Sequence, residues 1–264
     1  MKKIDLSTSY RKLLADIFTP VGIYLRLRDR FRDTILLEST DFHAAENSYS
    51  FIGINAIAGI EIKNKHELEY KYPGDLPQKK AITHSSIVSD EVWNFMGRFN
   101  VAVAEEKPIK MAQGLFGYTT YDAVQFFETI NLEDNLKSEK GVDGEIGNNA
   151  IIPLVRYRLY QYVIAINHFK DELYICENHL KGIESEIDVV ESLIKSKDVP
   201  TYPFRVSKKE TSAITDEDYI AMVKKGITSC ERGDVFQVVL SRRFRQEFTG
   251  DEFNVYRALR NINP

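Results

Sequence analysis

Tryptophan occurs once in these 264 residues, at Trp93, and cysteine twice, at Cys176 and Cys230. Two cysteines so far apart have no metal-ligand spacing and build no disulfide framework. They read as free core thiols in a reducing cytosol, with a single disulfide in a secreted protein as the other reading. No apolar run approaches the ~20 residues that span a bilayer, and the first ten residues hold no apolar signal region. A cytoplasmic protein without a membrane partner is expected. Basic residues are not in excess: 35 Lys and Arg stand against 39 Asp and Glu, a net charge of −4. Nucleic-acid binding therefore has no support. The five histidines are scattered, with no pair at metal-ligand spacing. Dinucleotide-type glycine fingerprints and Walker lysines are missing, as are repeats and low-complexity tracts.

What is present is an ordinary globular chain, 43% hydrophobic and 28% charged, with enough apolar material for a sizeable core. Strands are expected at 23–27 and 34–38, and over 49–62, where glycines allow bends. A loop is expected at 71–81 and a helix at 88–99. A glycine-punctuated strand at 114–118 precedes a helix at 121–128. The polar stretch 131–149 reads as a loop. Residues 154–167 and 172–177 form a hairpin, and 183–194 an amphipathic helix. Strands and helices mix without regular βαβ alternation, so the class is α+β with largely antiparallel sheet.

A helix begins at Thr215, where Thr215 and Asp218 resemble a capping box. Tyr219, Met222, Val223, Gly226, Ile227 and Cys230 follow at helical spacing, and Gly233 suits a left-handed cap. The next run, Val235-Phe-Gln-Val-Val-Leu-Ser-Arg-Arg-Phe244, reads as a strand carrying one amide, Gln237, on an apolar face. A buried amide is costly unless partnered. A satisfied core or edge glutamine is the plain interpretation. Earlier in the chain, Leu36-Leu37-Glu38-Ser39 ends a strand in a carboxylate and a hydroxyl, and Tyr49-Ser-Phe-Ile-Gly53 opens another. The plain interpretation there is a strand passing into solvent. Arg242 and Arg243 face opposite sides of their strand, and pairing with acidic neighbours is expected for them.

The helix, Gly-Asp turn and strand over 215–245 resemble the opening of the chorismate-binding domain of the anthranilate synthase component I family. Aminodeoxychorismate synthase component I is similar but less close. The resemblance implies a four-layer α/β/β/α fold with two packed, largely antiparallel sheets flanked by helices, incomplete in this chain. It implies a regulatory portion at 1–200, a connector at 201–214 and the start of the catalytic domain at 215–264. It further implies a lyase that forms anthranilate and pyruvate from chorismate and ammonia, supplied by a glutamine amidotransferase partner, with feedback inhibition by tryptophan. The Leu-Leu-Glu-Ser segment resembles the family's tryptophan site, so Leu37, Glu38, Ser39 and Tyr49 are the candidate regulatory contacts. Gln237 is the candidate active-site positioning residue. Water-adding relatives carry lysine at its place, where a lysine of lowered pKa can act as a base; a neutral amide only positions groups by hydrogen bonds. Mg2+ is the implied cofactor, with no ligand in this chain and its carboxylates expected beyond Pro264. The isolated chain is therefore expected to be inactive. A non-catalytic ligand-sensing or partner-binding module is the reading of another class.

Overall fold

The computed structural model describes residues 3–38, 48–130, 132 and 152–262. The chain divides into two compact units, residues 1–200 and 201–264. The first is α+β. It holds β1 (Ile4–Leu14), α1 (Pro20–Leu27), β2 (Ile35–Leu37), β3 (Tyr49–Ile62), β4 (Glu67–Lys71), β5 (Gln78–Ala81), α2 (Ser86–Met96), β6 (Phe99–Val101), α3 (Lys107–Ala112), β7 (Phe116–Thr119), β8 (Val155–Asn167), β9 (Glu172–His179) and α4 (Ile187–Lys195). Among the described residues these strands form one nine-stranded sheet in the order β5-β4-β3-β8-β9-β1-β6. β2 pairs with β3, and β7 with β8. Every pairing in it is antiparallel except β1 with β6. The expected hairpin across 168–171 is β8–β9.

Alternation along β3, β8 and β9 sorts the core onto two faces. Ile52, Ile54, Ile164 and Ile175 pack with Ile23 and Leu27 of α1 and Val190 and Ile194 of α4. Phe51, Val163, Ala165 and Cys176 pack on the opposite face with Ile109 and Ala112 of α3. Each fully buried Ile or Leu contributes roughly 1.5–3 kcal/mol relative to exposure.

One expected strand is a helix. Residues 23–27 alternate apolar and polar, yet they lie in α1. Thr19 accepts a hydrogen bond from the Gly22 amide at 3.0 Å, and Pro20 occupies the first turn. A capped start with proline commits the chain to a helix before the alternation can act. Other differences are smaller. Residues 78–81, expected as loop, form β5 against β4. Residues 121–126 form a 3-10 helix. The bend in β3 falls not at a glycine but at Asn55, whose φ is +58°, beside a register shift between Ala56 and Ala58. The loop expected at 131–149 lies outside the described residues apart from residue 132.

The second unit holds β10 (Phe204–Val206), β11 (Thr211–Ser212), α5 (Asp216–Glu231), β12 (Phe244–Arg245), β13 (Phe248–Gly250) and α6 (Phe253–Ile262). Residues 201–214, expected as a connector, carry two short strands: β10 pairs with β13 and β11 with β12. α5 starts as its sequence dictates. The Thr215 hydroxyl accepts from the Asp218 amide at 3.1 Å and donates to the Asp218 carboxylate at 2.8 Å. Asp216, Glu217 and Asp218 complement the positive end of the helix dipole. Gly233, at φ +78°, turns the chain away.

The strand expected at 235–244 is not formed. Only Phe244 and Arg245 pair, and residues 235–243 run without a ladder. A strand requires a neighbouring edge for its backbone groups, and the described residues of this unit offer none there. Val238 and Leu240 instead lie against Gly226 of α5, where an added Cβ would meet both at 3.4 Å.

Candidate functional site

Of the candidate regulatory residues, Leu37 ends β2, Glu38 follows it, and Tyr49 opens β3. Antiparallel pairing sets Leu37 opposite Phe51 and Tyr49 opposite Asn167. Tyr49 is buried, and its ring stacks on Phe51 at 5.9 Å. The Lys107 ammonium, at the start of α3, lies 5.9 Å from the centre of the Tyr49 ring. Leu37 remains exposed at the edge. Ile35 packs toward the Phe51 side and Leu36 toward the Ile52 side. Leu37 thus continues the Tyr49–Phe51 face, while alternation carries Glu38 to the other. Ser39 lies outside the described residues.

The β8–β9 turn supports this strand start from below. Asn167 is buried and donates from Nδ2 to the Tyr49 hydroxyl at 3.0 Å. Its Oδ1 accepts from the amides of Phe169 and Lys170 at 3.0 and 3.1 Å. Nε2 of His168 hydrogen-bonds with Ser50 Oγ at 2.7 Å, and the His168 amide donates to the Ser48 carbonyl at 3.0 Å. Sequence reasoning missed Asn167 and His168. The available signal was Asn followed by a polar turn, an Asx-turn pattern.

A second polar constellation was also missed. Glu61 is buried in β3, and its Oε2 accepts from Arg156 Nε at 2.9 Å and Arg158 Nη2 at 2.7 Å. Burial pushes the Glu61 carboxyl upward, but the hydrogen bonds from Arg158 and Arg156 and their charges outweigh it and leave the group below the usual carboxylate range. A carboxylate between two isoleucines in the sequence was the signal, since such a charge needs a cationic partner.

Gln237 sits on the ladderless segment after α5 with its side chain exposed. The expected buried amide on a sheet face is therefore not found, for the same reason that the strand is not. Arg242 meets the plain expectation: it bonds Asp216 at 2.5 Å and Ser212 at 3.1 Å. Among the described residues no group of three or more His, Cys, Asp or Glu is arranged to hold a metal ion. No helix among them is long and apolar enough to cross a membrane.

These features define an α+β chain of two compact units, the first built on the long β3, β8 and β9 strands and the second opened by α5. The profile of the chorismate binding enzyme family matches residues 40–264, and the chain belongs to that family. Anthranilate synthase component 1 of Aquifex aeolicus is 29% identical across 97% of this chain and 51% of its own length. Anthranilate synthase alpha subunit 2, chloroplastic, of Arabidopsis thaliana is 25% identical across the whole chain and 45% of its own length. The chain spans about half the length of the curated relatives it matches. The fold is similar to that of anthranilate synthase component I from Streptococcus pneumoniae, with a TM-score of 0.50 at 22% identity. That likeness covers 96% of this chain and 52% of the solved one.

Proposed function

We propose that this chain is part of an anthranilate synthase component 1, which forms anthranilate and pyruvate from chorismate and ammonia in the cytoplasm. The observation that carries this reading is similarity to proteins of that name along nearly the whole chain. In this proposal residues 1–200 sense tryptophan through Leu37, Glu38, Ser39 and Tyr49, and 215–264 open the chorismate side. Support for the sensing role comes from the pairing that sets Leu37 beside Phe51, two residues from Tyr49. The Tyr49 and Phe51 rings, 5.9 Å apart, suit a ligand with an aromatic side chain, and a carboxylate next to Leu37 in the chain suits an ammonium group. Gln237, a neutral amide, suits a reaction whose nucleophile is ammonia and needs no base to make it. Mg2+ would be held by residues other than the described ones, and ammonia would come from a glutamine amidotransferase subunit.

The test uses the enzyme that contains this chain. Glu38→Ala and Ser39→Ala each raise the tryptophan inhibition constant about tenfold, the effect of losing a hydrogen bond to a charged ligand group, while turnover survives. Unchanged inhibition in folded variants refutes the sensing role. The 264-residue chain alone, with chorismate, Mg2+ and excess ammonium, yields no anthranilate above a protein-free control. Turnover there refutes the division of labour. Gln237→Lys in the enzyme impairs the ammonia reaction; unchanged anthranilate formation removes Gln237 from the neighbourhood of the reacting ring.

A further inference from the structure

We propose that Asn167 is a positioning residue that fixes Tyr49 as a hydrogen-bond donor toward the carboxylate of the bound amino acid. This deepens, and rests on, the tryptophan-sensing reading above. Asn167 is 2% exposed, so each of its polar atoms has to find a partner inside the protein. Its Oδ1 already accepts two backbone amides, from Phe169 and Lys170. That occupies both lone pairs and settles which end of the amide is which. Flipped, the side chain would aim N–H groups at N–H groups. Nδ2 therefore faces Tyr49, and the phenol oxygen is the acceptor in that 3.0 Å bond. The phenol's own proton is consequently left to donate elsewhere.

Two neighbours favour an anionic acceptor for that proton. Lys107 brings a positive charge to 5.9 Å from the Tyr49 ring. Stacking on Phe51 at 5.9 Å restrains the ring's direction. The same turn grips the strand on both sides of Tyr49, through the His168 amide to the Ser48 carbonyl and the imidazole to Ser50. Three consecutive residues, Ser48, Tyr49 and Ser50, thus take their positions from one turn. Among the parts of an amino-acid ligand, the carboxylate is the group that accepts from a phenol beside a cation.

Asn167→Asp is the discriminating substitution. Aspartate keeps an oxygen for the Phe169 and Lys170 amides, so the turn survives. Its second oxygen can only accept, so it draws the Tyr49 proton inward. L-Tryptophan and tryptamine, which lacks the carboxylate, are each titrated calorimetrically into the enzyme that contains this chain. The expected result is about tenfold weaker tryptophan binding in Asn167→Asp, with tryptamine binding unchanged and the protein still folded by circular dichroism. In a Tyr49→Phe background, Asn167→Asp has no further effect. Equal tryptophan affinity in wild type and Asn167→Asp overturns the role of Asn167 and leaves the sensing reading standing. Equal weakening of tryptophan and tryptamine marks a merely structural role and also overturns it. Absence of tryptophan binding to the wild-type enzyme overturns the sensing reading, and this proposal with it.

Discussion

The ring of Tyr160 lies so close to Gly53 that a Cβ there would meet its Cδ2 at 2.6 Å. Tyr160 is 3% exposed and sits in the core under α3, so the ring has no free direction to move. Gly53 closes the Tyr-Ser-Phe-Ile-Gly run that opens β3, and its lack of a side chain is what lets the two strands and the ring share one layer. Gly53→Ala should destabilise residues 1–200 by about 1–3 kcal/mol, the usual range for overpacking a filled core. Urea denaturation followed by tyrosine fluorescence measures it. A change under 0.5 kcal/mol would show that Tyr160 swings aside at no cost.

Glu61 gives an acid-sensitive contribution to stability. Its folded pKa lies below the unfolded value of about 4.3. The stabilisation is therefore complete above that value and is lost as pH falls through the folded pKa. Glu61→Gln should cost about 3 kcal/mol at pH 7, at the low end for breaking a buried pair because Arg156 is partly exposed. Denaturation curves at pH 7 and pH 3 should show the wild-type advantage shrinking at the lower pH. An advantage constant across that range contradicts the ion-pair account.

The two cysteines should differ sharply in reactivity. Burial pushes the Cys176 thiol up to about 12, so it carries almost no thiolate at pH 8, whereas Cys230 is exposed. A thiol reagent such as Ellman's should titrate one thiol per native chain and two after guanidinium unfolding. Two fast equivalents in the native protein would place Cys176 outside the core.

Residues 201–264 present much apolar surface. Phe236 is 99% exposed, Val239 82% and Ile262 80%. Neither α5 nor α6 has a buried residue among its described positions. Such surface and an unladdered extended segment invite association. The 264-residue chain should bind an apolar dye and scatter light increasingly with concentration, and Phe236→Ser with Val239→Lys should reduce both. A clean monomer at high concentration without dye binding counts against this.

The elements legible in the sequence are those specified by neighbours along the chain. Thr215 and Asp218 start α5, Gly233 ends it, and the alternating runs on either side of residues 168–171 fold back as β8 and β9. In α1 the local signals conflicted. The alternation of Ile23, Leu25 and Leu27 suggested a strand, but Thr19 and Pro20 cap a helix whose Ile23 and Leu27 then share one buried side. The family was legible too, because 215–245 is a long run of particular residues.

Only the tertiary structure decided which residues meet. Asn167 and Tyr49 are 118 positions apart in the chain, and their hydrogen bond follows from the β3–β8 register. Glu61 finds Arg156 and Arg158 by the same pairing. Residues 235–243 show the converse. Their apolar alternation is a strand's, yet a strand exists only where another edge takes its backbone hydrogen bonds. Side-chain pattern belongs to the sequence, whereas the supply of a partner edge belongs to the fold.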